Sequence, residues 1–142
     1  MAKVVVTFAL EPELAQQIRA VDSNLDVTVL GEGQLELLRG KTRFPSERQA
    51  ATSRSELQAA LEDAQLLFSF WGGGLRRLVR AEEPPAQLRW VQLSSAGADR
   101  VDPELIHGGL TFTTVSGLHA VPIAEFVLAY MLMFENQANS QT

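Results

Sequence analysis

The sequence of 142 residues contains no cysteine, which excludes disulfide bonds, thiolate metal ligands and cysteine nucleophiles. It has only two histidines, His107 and His119, and neither has a carboxylate at metal-ligand spacing, so we expect no metal site. The net charge is -5 and no long block of lysine and arginine is present. Because a nucleic-acid surface needs several cations on one face, we expect no nucleic-acid partner.

The chain also lacks a basic segment followed by an apolar run at its start, so no signal peptide is predicted. Its final apolar run is shorter than the ~20 residues that cross a bilayer. Apolar residues make up 46% and charged residues 20%, which is typical of a folded domain. We therefore expect a cytoplasmic protein without a membrane partner, large enough for one domain with a proper core.

Five short apolar or β-branched runs alternate with segments of helical spacing. The runs lie at residues 3–9, 25–30, 65–70, 89–93 and 111–115. Alternation of strands and helices is typical of a parallel sheet with helices on both faces and right-handed crossovers. We predict an α/β fold: a flavodoxin-like, doubly wound, parallel five-stranded sheet with a long C-terminal linking helix.

Apolar spacing after Pro12 predicts the first crossover helix, through residue 21. Residues 31–51 are rich in glycine and mixed charges, and we expect a long surface connection there with at most one helical turn. Ser53 and Glu56 fit a capping box, which predicts that the next helix begins at that point. A short helix is expected over residues 75–81.

The last predicted helix, residues 120–134, is unusual because Glu125 is its single charged residue. A helix on the surface of a domain keeps a polar stripe, whereas one that is apolar on every face must be covered on all sides. We therefore expect the isolated chain to self-associate through this helix.

A loop of small residues follows the fourth predicted strand and contains Ser95, Ala96 and Gly97. Ligands of parallel sheets bind beyond the carboxyl ends of the strands, where this loop lies. Small side chains let a ligand approach the backbone, and successive amides suit a carboxylate. The competing interpretation is a tight turn that needs small residues for steric reasons.

Two further loop positions are candidates for ligand contact. Trp71 and Gly72 follow the third strand, where the indole forms either a pocket wall or a plug at the edge of the core. His119 precedes the last helix, where it either donates to an anion or bonds its own backbone. The sequence holds no nucleophile–base–acid set and no G-x-G-x-x-G motif.

Residues 89–102 and 115–125 together resemble the D-isomer-specific 2-hydroxyacid dehydrogenases. The first stretch, with Leu88 before it, matches the family pattern L-x-W-[IV]-Q-x-x-x-[AS]-G-x-D-x-[VL]-D. The second, with Thr114 before it, matches [NT]-x-x-G-x-[NH]-x-x-x-[VI]-A-E, and the spacing agrees in both. The resemblance covers nearly the whole chain as the substrate-binding domain of the family with its linking helix.

The resemblance implies a flavodoxin-like domain, residues 1–119, followed by an interdomain and dimerisation helix with its tail, residues 120–142. It implies that backbone amides of Ser95, Ala96 and Gly97 hold the carboxylate of a small 2-hydroxy or 2-keto acid. It also places His119, Trp71 and Gly72 near this substrate. The parent protein would be an oxidoreductase that acts on the CH–OH group of D-2-hydroxy acids with NAD or NADP, and a homodimer through residues 120–134.

The glycine-rich cofactor loop and the catalytic Arg, Glu and His of the family would lie beyond Thr142. We therefore expect a truncated domain with no catalytic residue, no bound cofactor and no activity by itself. The alternative is a corepressor-like or other interaction module of the same fold family. A flavodoxin-like signalling or FMN module is disfavoured, because residues 7–9 and 69–71 lack the acidic residues of a receiver.

Overall fold

A parallel five-stranded sheet forms the centre of the protein. The computed structural model describes residues 1–40, 44–70, 75, 78, 85–99, 101 and 103–139. The strands are β1 (Ala2–Val6), β2 (Leu25–Val29), β3 (Leu66–Ser69), β4 (Trp90–Leu93) and β5 (Thr111–Thr113). Their order is β2-β1-β3-β4-β5, and every pair is parallel. This is the flavodoxin-like order, so the predicted fold is confirmed.

Helices connect the strands and flank the sheet. They are α1 (Pro12–Val21), α2 (Glu32–Leu38), α3 (Glu47–Leu61), α4 (Pro103–His107) and α5 (Ala120–Asn139). Within the predicted helix 75–81, Leu75 and Leu78 are helical and buried, and the rest of that segment lies outside the described residues. In the described part of the chain, no helix combines the length and apolarity that a membrane span requires.

The prediction of a long surface connection over residues 31–51 is wrong. Helix α2 occupies part of it, and α3 begins well before the predicted cap. The side chain of Ser46 accepts the amide of Gln49 at 3.2 Å and caps α3. Ser53 is therefore not a cap but lies inside the helix, 6% exposed. The glycines and Pro45 suggested a loop, whereas Pro45 directly precedes the helix cap and the residues after it have good helix propensity.

The first face of the sheet carries the larger core cluster. Val5, Leu67 and Val91 stand in register across three strands and are fully buried. Leu35 of α2 is buried in the same cluster, and Leu57 of α3 packs against it half-buried. The two consecutive helices thus cover this face.

The second face is covered mainly over β1 and β2. Val4, Val6 and Val27 form a smaller buried cluster there, against which Ile18 of α1 packs. Helix α1 alternates with the strands as expected and begins with Pro12 at its first turn.

Over β4 and β5 the second face is polar and more exposed. Trp90 keeps 41% of its surface exposed. Its indole Nε1 donates to Thr113 Oγ1 at 2.6 Å, and that hydroxyl donates to Gln92 Oε1, also at 2.6 Å. Hydrogen bonds rather than apolar packing therefore connect these two strands on this face.

Helix α5 stands away from the sheet. It starts at the predicted residue, ends five residues later than predicted, and every side chain from 120 to 137 is exposed. Phe126 is 61% and Phe134 is 74% exposed, although both are large and apolar. The expectation that this helix lacks cover within its own chain is confirmed for the described residues.

Candidate functional site

Four loops meet at the carboxyl edge of the sheet, and Ser69 at the end of β3 joins three of them. Thr7, which follows β1, donates through Oγ1 to Ser69 Oγ at 2.6 Å. The amide and hydroxyl of Ser94, after β4, donate to the carbonyl of Ser69 at 2.9 and 3.3 Å. The amide of Val115, after β5, donates to the carbonyl of Ser95 at 3.2 Å. Hydrogen bonds thus hold together the loops after β1, β3, β4 and β5.

The small-residue loop that follows β4 lies at this edge of the sheet. Ser95 is half-buried, whereas Ala96 and Gly97 are exposed. The Ser95 hydroxyl donates to the carbonyl of Gly97 at 3.1 Å, which holds the turn. Within the described part of the chain, the amides of these three residues meet no acceptor. Three adjacent free N–H groups are able to donate hydrogen bonds to an anion such as a carboxylate.

A local steric contact, and not an unusual backbone conformation, explains why residue 97 is glycine. A Cβ atom placed there would lie 2.5 Å from Asp99 Oδ1. Because that atom belongs to a side chain that can rotate, an alanine would displace the Asp99 carboxylate without breaking the loop.

His119 ends the turn that leads from β5 into α5. Gly117, in the same turn, has φ of +87°, a left-handed conformation that favours glycine. The carbonyl of His119 accepts the amide of Ile123 at 3.1 Å, and its imidazole is exposed. The backbone of His119 is therefore used by the helix, whereas its side chain is available at the edge of the sheet.

An apolar pocket of about 550 Å³ lies between α1 and the segment after β5. Its lining residues are Phe8, Leu10, Leu14, Gln17, Ile18, Val21, Phe68, Ser94, Val115, Leu118 and His119. The Phe8 ring meets those of Phe68 and Phe70 edge-on at 4.9 and 5.0 Å. The pocket brings His119 close to Ser94, one residue before the predicted carboxylate loop, but Ser95, Ala96 and Gly97 do not line it.

Two of the predicted site residues and one pair that the sequence analysis did not predict remain to be placed. Trp71 and Gly72 lie outside the described residues. The hydroxyl pair of Thr7 and Ser69 was not predicted, although two polar residues at the ends of apolar strands were a visible signal. In the described part of the chain, no three His, Asp or Glu side chains lie close enough to hold a metal ion.

Comparison with solved structures shows similarity to the crystal structure of phosphoglycerate dehydrogenase from Lactobacillus plantarum, with a TM-score of 0.52 and 23% sequence identity. The match covers 92% of this chain and 34% of that one, so this chain spans about one third of that protein's length. At this identity the similarity supports the fold. No protein-family model and no curated protein matches the sequence.

Proposed function

We propose that this chain is the substrate-binding domain of an NAD(P)-dependent oxidoreductase that acts on the CH–OH group of D-2-hydroxy acids. The observation that carries the proposal is the amide loop at the carboxyl edge of the sheet, tied to the strand that leads to His119. The Val115 amide makes that tie by donating to Ser95 at 3.2 Å. The sequence motifs over residues 89–102 and 115–125, and a structural neighbour named as a dehydrogenase, support it further.

In this proposal the chain binds and orients the acid. The amides of Ser95, Ala96 and Gly97 hold the carboxylate, since consecutive backbone N–H groups in a turn form an anion-binding concavity. His119 lies beside the acid and donates to its oxygen atoms. Trp71 and Gly72 are the residues after β3 that the resemblance implies lie near this substrate. These roles fix the position of the 2-carbon but supply no proton transfer to it.

The nicotinamide cofactor, when bound, supplies or accepts the hydride. The described residues contain no glycine-rich turn before a helix that fits a dinucleotide phosphate, so a second domain of the parent protein would hold it. This chain by itself is then inactive. The parent protein is a homodimer through residues 120–134, whose exposed apolar side chains support an interface.

Titration of the ¹⁵N-labelled full chain with oxamate, a 2-keto acid analogue, tests the proposal by NMR. We expect the amide signals of Ser95, Ala96 and Gly97 to shift, with a Kd on the order of millimolar because half of the site is absent. Acetamide, which lacks the carboxylate, is the matched ligand control and should leave these signals in place.

Gly97→Ala is the matched protein control for this titration. Its methyl group displaces the Asp99 carboxylate and narrows the loop, so the oxamate-dependent shifts should shrink while the remaining spectrum stays folded. The proposal is wrong if oxamate shifts only residues far from the loop, or if acetamide and oxamate have the same effect.

A further inference from the structure

The carboxylate loop does not account for the α1 groove, defined as the pocket between α1 and residues 115–119. The groove has a volume of about 550 Å³, within the range of ~300–1,000 Å³ that is typical of small-molecule sites. Because Ser95, Ala96 and Gly97 do not line it, a carboxylate held by their amides leaves the groove free. Another part of the same ligand can therefore occupy it.

The floor of the groove consists of apolar side chains that are fixed to the sheet. Phe8, Leu10 and Phe68 are half-buried and pack against the second core cluster. The rings of Phe8 and Phe68 meet edge-on at 4.9 Å. Leu14 of α1 and Leu118 of the turn before α5 line the two sides and are 43% and 66% exposed. The groove is thus preformed, and its sides present apolar surface that a ligand can cover.

The groove begins directly beside the carboxylate loop. Ser94 lines the groove, and its chain neighbour Ser95 supplies the first of the three loop amides, so their Cα atoms lie about 3.8 Å apart. Val115 also lines the groove, and its amide donates to the carbonyl of Ser95 at 3.2 Å. A ligand whose carboxylate meets the loop can therefore extend a short side chain into the groove.

His119 connects the two parts of this arrangement. It lines the groove, and its imidazole is exposed. The proposed function places the same side chain beside the oxygen atoms of the acid. Since a histidine has an apolar ring body and polar nitrogen atoms, it can contact both the head and the side chain of one ligand.

The charge of the lining favours an uncharged side chain. Among the described residues that line the groove, none is Lys, Arg, Asp or Glu, and Gln17, Ser94 and His119 are polar. A phosphate group carries a charge of about -1.5 to -2 at neutral pH. Moving a phosphate or a second carboxylate into this apolar lining without a Lys or Arg partner is unfavourable, whereas burial of an alkyl or aryl group is favourable.

We propose that the α1 groove holds the side chain of the acid. The parent protein then prefers 2-hydroxy and 2-keto acids with a large, uncharged alkyl or aryl side chain over those with a phosphorylated or carboxylated one. Leu14 and Leu118 contact that side chain and determine this specificity. The preference depends on the proposed function, since the carboxylate must lie at the amide loop.

NMR titration of the full chain with a matched pair of acids tests the proposal. 5-Methyl-2-oxohexanoate and 2-oxoglutarate share the 2-keto acid head and the chain length, and they differ in an isopropyl or a carboxylate end group. We expect both to shift the amide signals of Ser95, Ala96 and Gly97. Only the branched acid should shift the methyl signals of Leu14 and Leu118. Its Kd should be at least about ten-fold lower than those of 2-oxoglutarate and pyruvate.

A ligand without the carboxylate is the second control. 5-Methylhexan-2-one has the same branched chain as the favoured acid and lacks its carboxylate. We expect it to bind at least about ten-fold more weakly than the acid, because it makes no charge-assisted hydrogen bond with the loop amides.

Leu14→Asn tests the groove from the side of the protein, because it replaces an apolar side chain by a polar one of similar size. The Kd for 5-methyl-2-oxohexanoate should rise about five-fold, while the Kd for pyruvate should stay the same. Gln16→Asn is the matched control and should change neither value, since Gln16 is exposed on the same helix and does not line the groove.

The possible outcomes distinguish this proposal from the proposed function. If the loop amides shift but the branched acid and 2-oxoglutarate bind equally, the groove does not hold the side chain and the proposed function stands. The same conclusion follows if Leu14→Asn binds the branched acid as the parent sequence does. A ketone that binds as tightly as the acid would show that the groove takes apolar molecules independently of the loop, which also overturns the inference. If no acid shifts the loop amides, both proposals are wrong.

Discussion

At the scale of single residues, Ser69 connects the strands to the candidate site. It is 2% exposed in a strand whose other buried positions are apolar. Its hydroxyl accepts from Thr7 and donates to the carbonyl of Phe70 at 3.1 Å, while its own carbonyl accepts from Ser94. One buried serine thus fixes the relative positions of the loops that follow β1, β3 and β4 at the points where they leave the sheet.

Ser69→Ala should lower the free energy of unfolding by about 1–2 kcal/mol, because the part-buried Thr7 hydroxyl loses its 2.6 Å bond to Ser69 and keeps only the Phe68 carbonyl at 3.5 Å. Urea denaturation followed by circular dichroism measures the change. Ser116→Ala, at an exposed residue of the turn before α5, is the control and should stay within ~0.5 kcal/mol. If both variants unfold at the same urea concentration, the hydroxyl pair does not stabilise this edge.

At the scale of elements, α3 shows how a cap sets the start of a helix. Ser46 has extended backbone angles, and its hydroxyl accepts the Gln49 amide, which otherwise has no partner in the first turn. Helix α3 packs on the first face together with α2. Its stability therefore contributes to the covering of that face.

Ser46→Ala should destabilise the domain by about 1 kcal/mol through the loss of this cap. Ser55→Ala is the matched control, since Ser55 is exposed in the middle of the same helix and alanine has the better helix propensity there. We expect Ser55→Ala to unfold at the same or a slightly higher temperature. A larger loss with Ser55→Ala than with Ser46→Ala would contradict the observed start of α3.

The strands were predictable because burial dictates their composition, and the final helix was predictable from its long apolar run, although the structure leaves that run exposed. Strands β1 and β2 are rich in valine, and the sheet order follows once the crossovers alternate. Residues 31–51 were not predictable, because glycine and proline mark helix ends as well as loops. The cap at Ser46 is visible in the sequence only when Pro45 is understood as a residue before a helix.

The candidate site was predictable only in part. The run of small residues pointed to Ser95, Ala96 and Gly97, and in the described part of the chain their amides meet no acceptor. The spacing of Leu14 and Val21 predicted a helix but not that these residues would be exposed beside a groove. Whether these side chains are exposed depends on which other element or chain packs beside α1. The local sequence of α1 does not specify that neighbour.

At the scale of the whole molecule, the domain and α5 are expected to contribute to stability in different ways. The two core clusters lie on the sheet and its covering helices, and none of their residues belongs to α5. In a single copy, the helix therefore adds little buried surface. Any stabilisation that it provides comes from association and depends on protein concentration.

Deletion of residues 120–142 should leave the free energy of unfolding within ~1 kcal/mol of that of the full chain at high dilution, because the side chains of residues 120–137 are exposed. At higher concentration the full chain should gain stability by linkage, about 2.7 kcal/mol when the free chain reaches ~100 times its dimer Kd, whereas the shortened chain should not. Urea denaturation of both chains at two concentrations measures the difference. A shortened chain that fails to fold at high dilution would show that α5 stabilises its own domain, and concentration-independent midpoints for the full chain would show that its apolar helix is not stabilised by a partner.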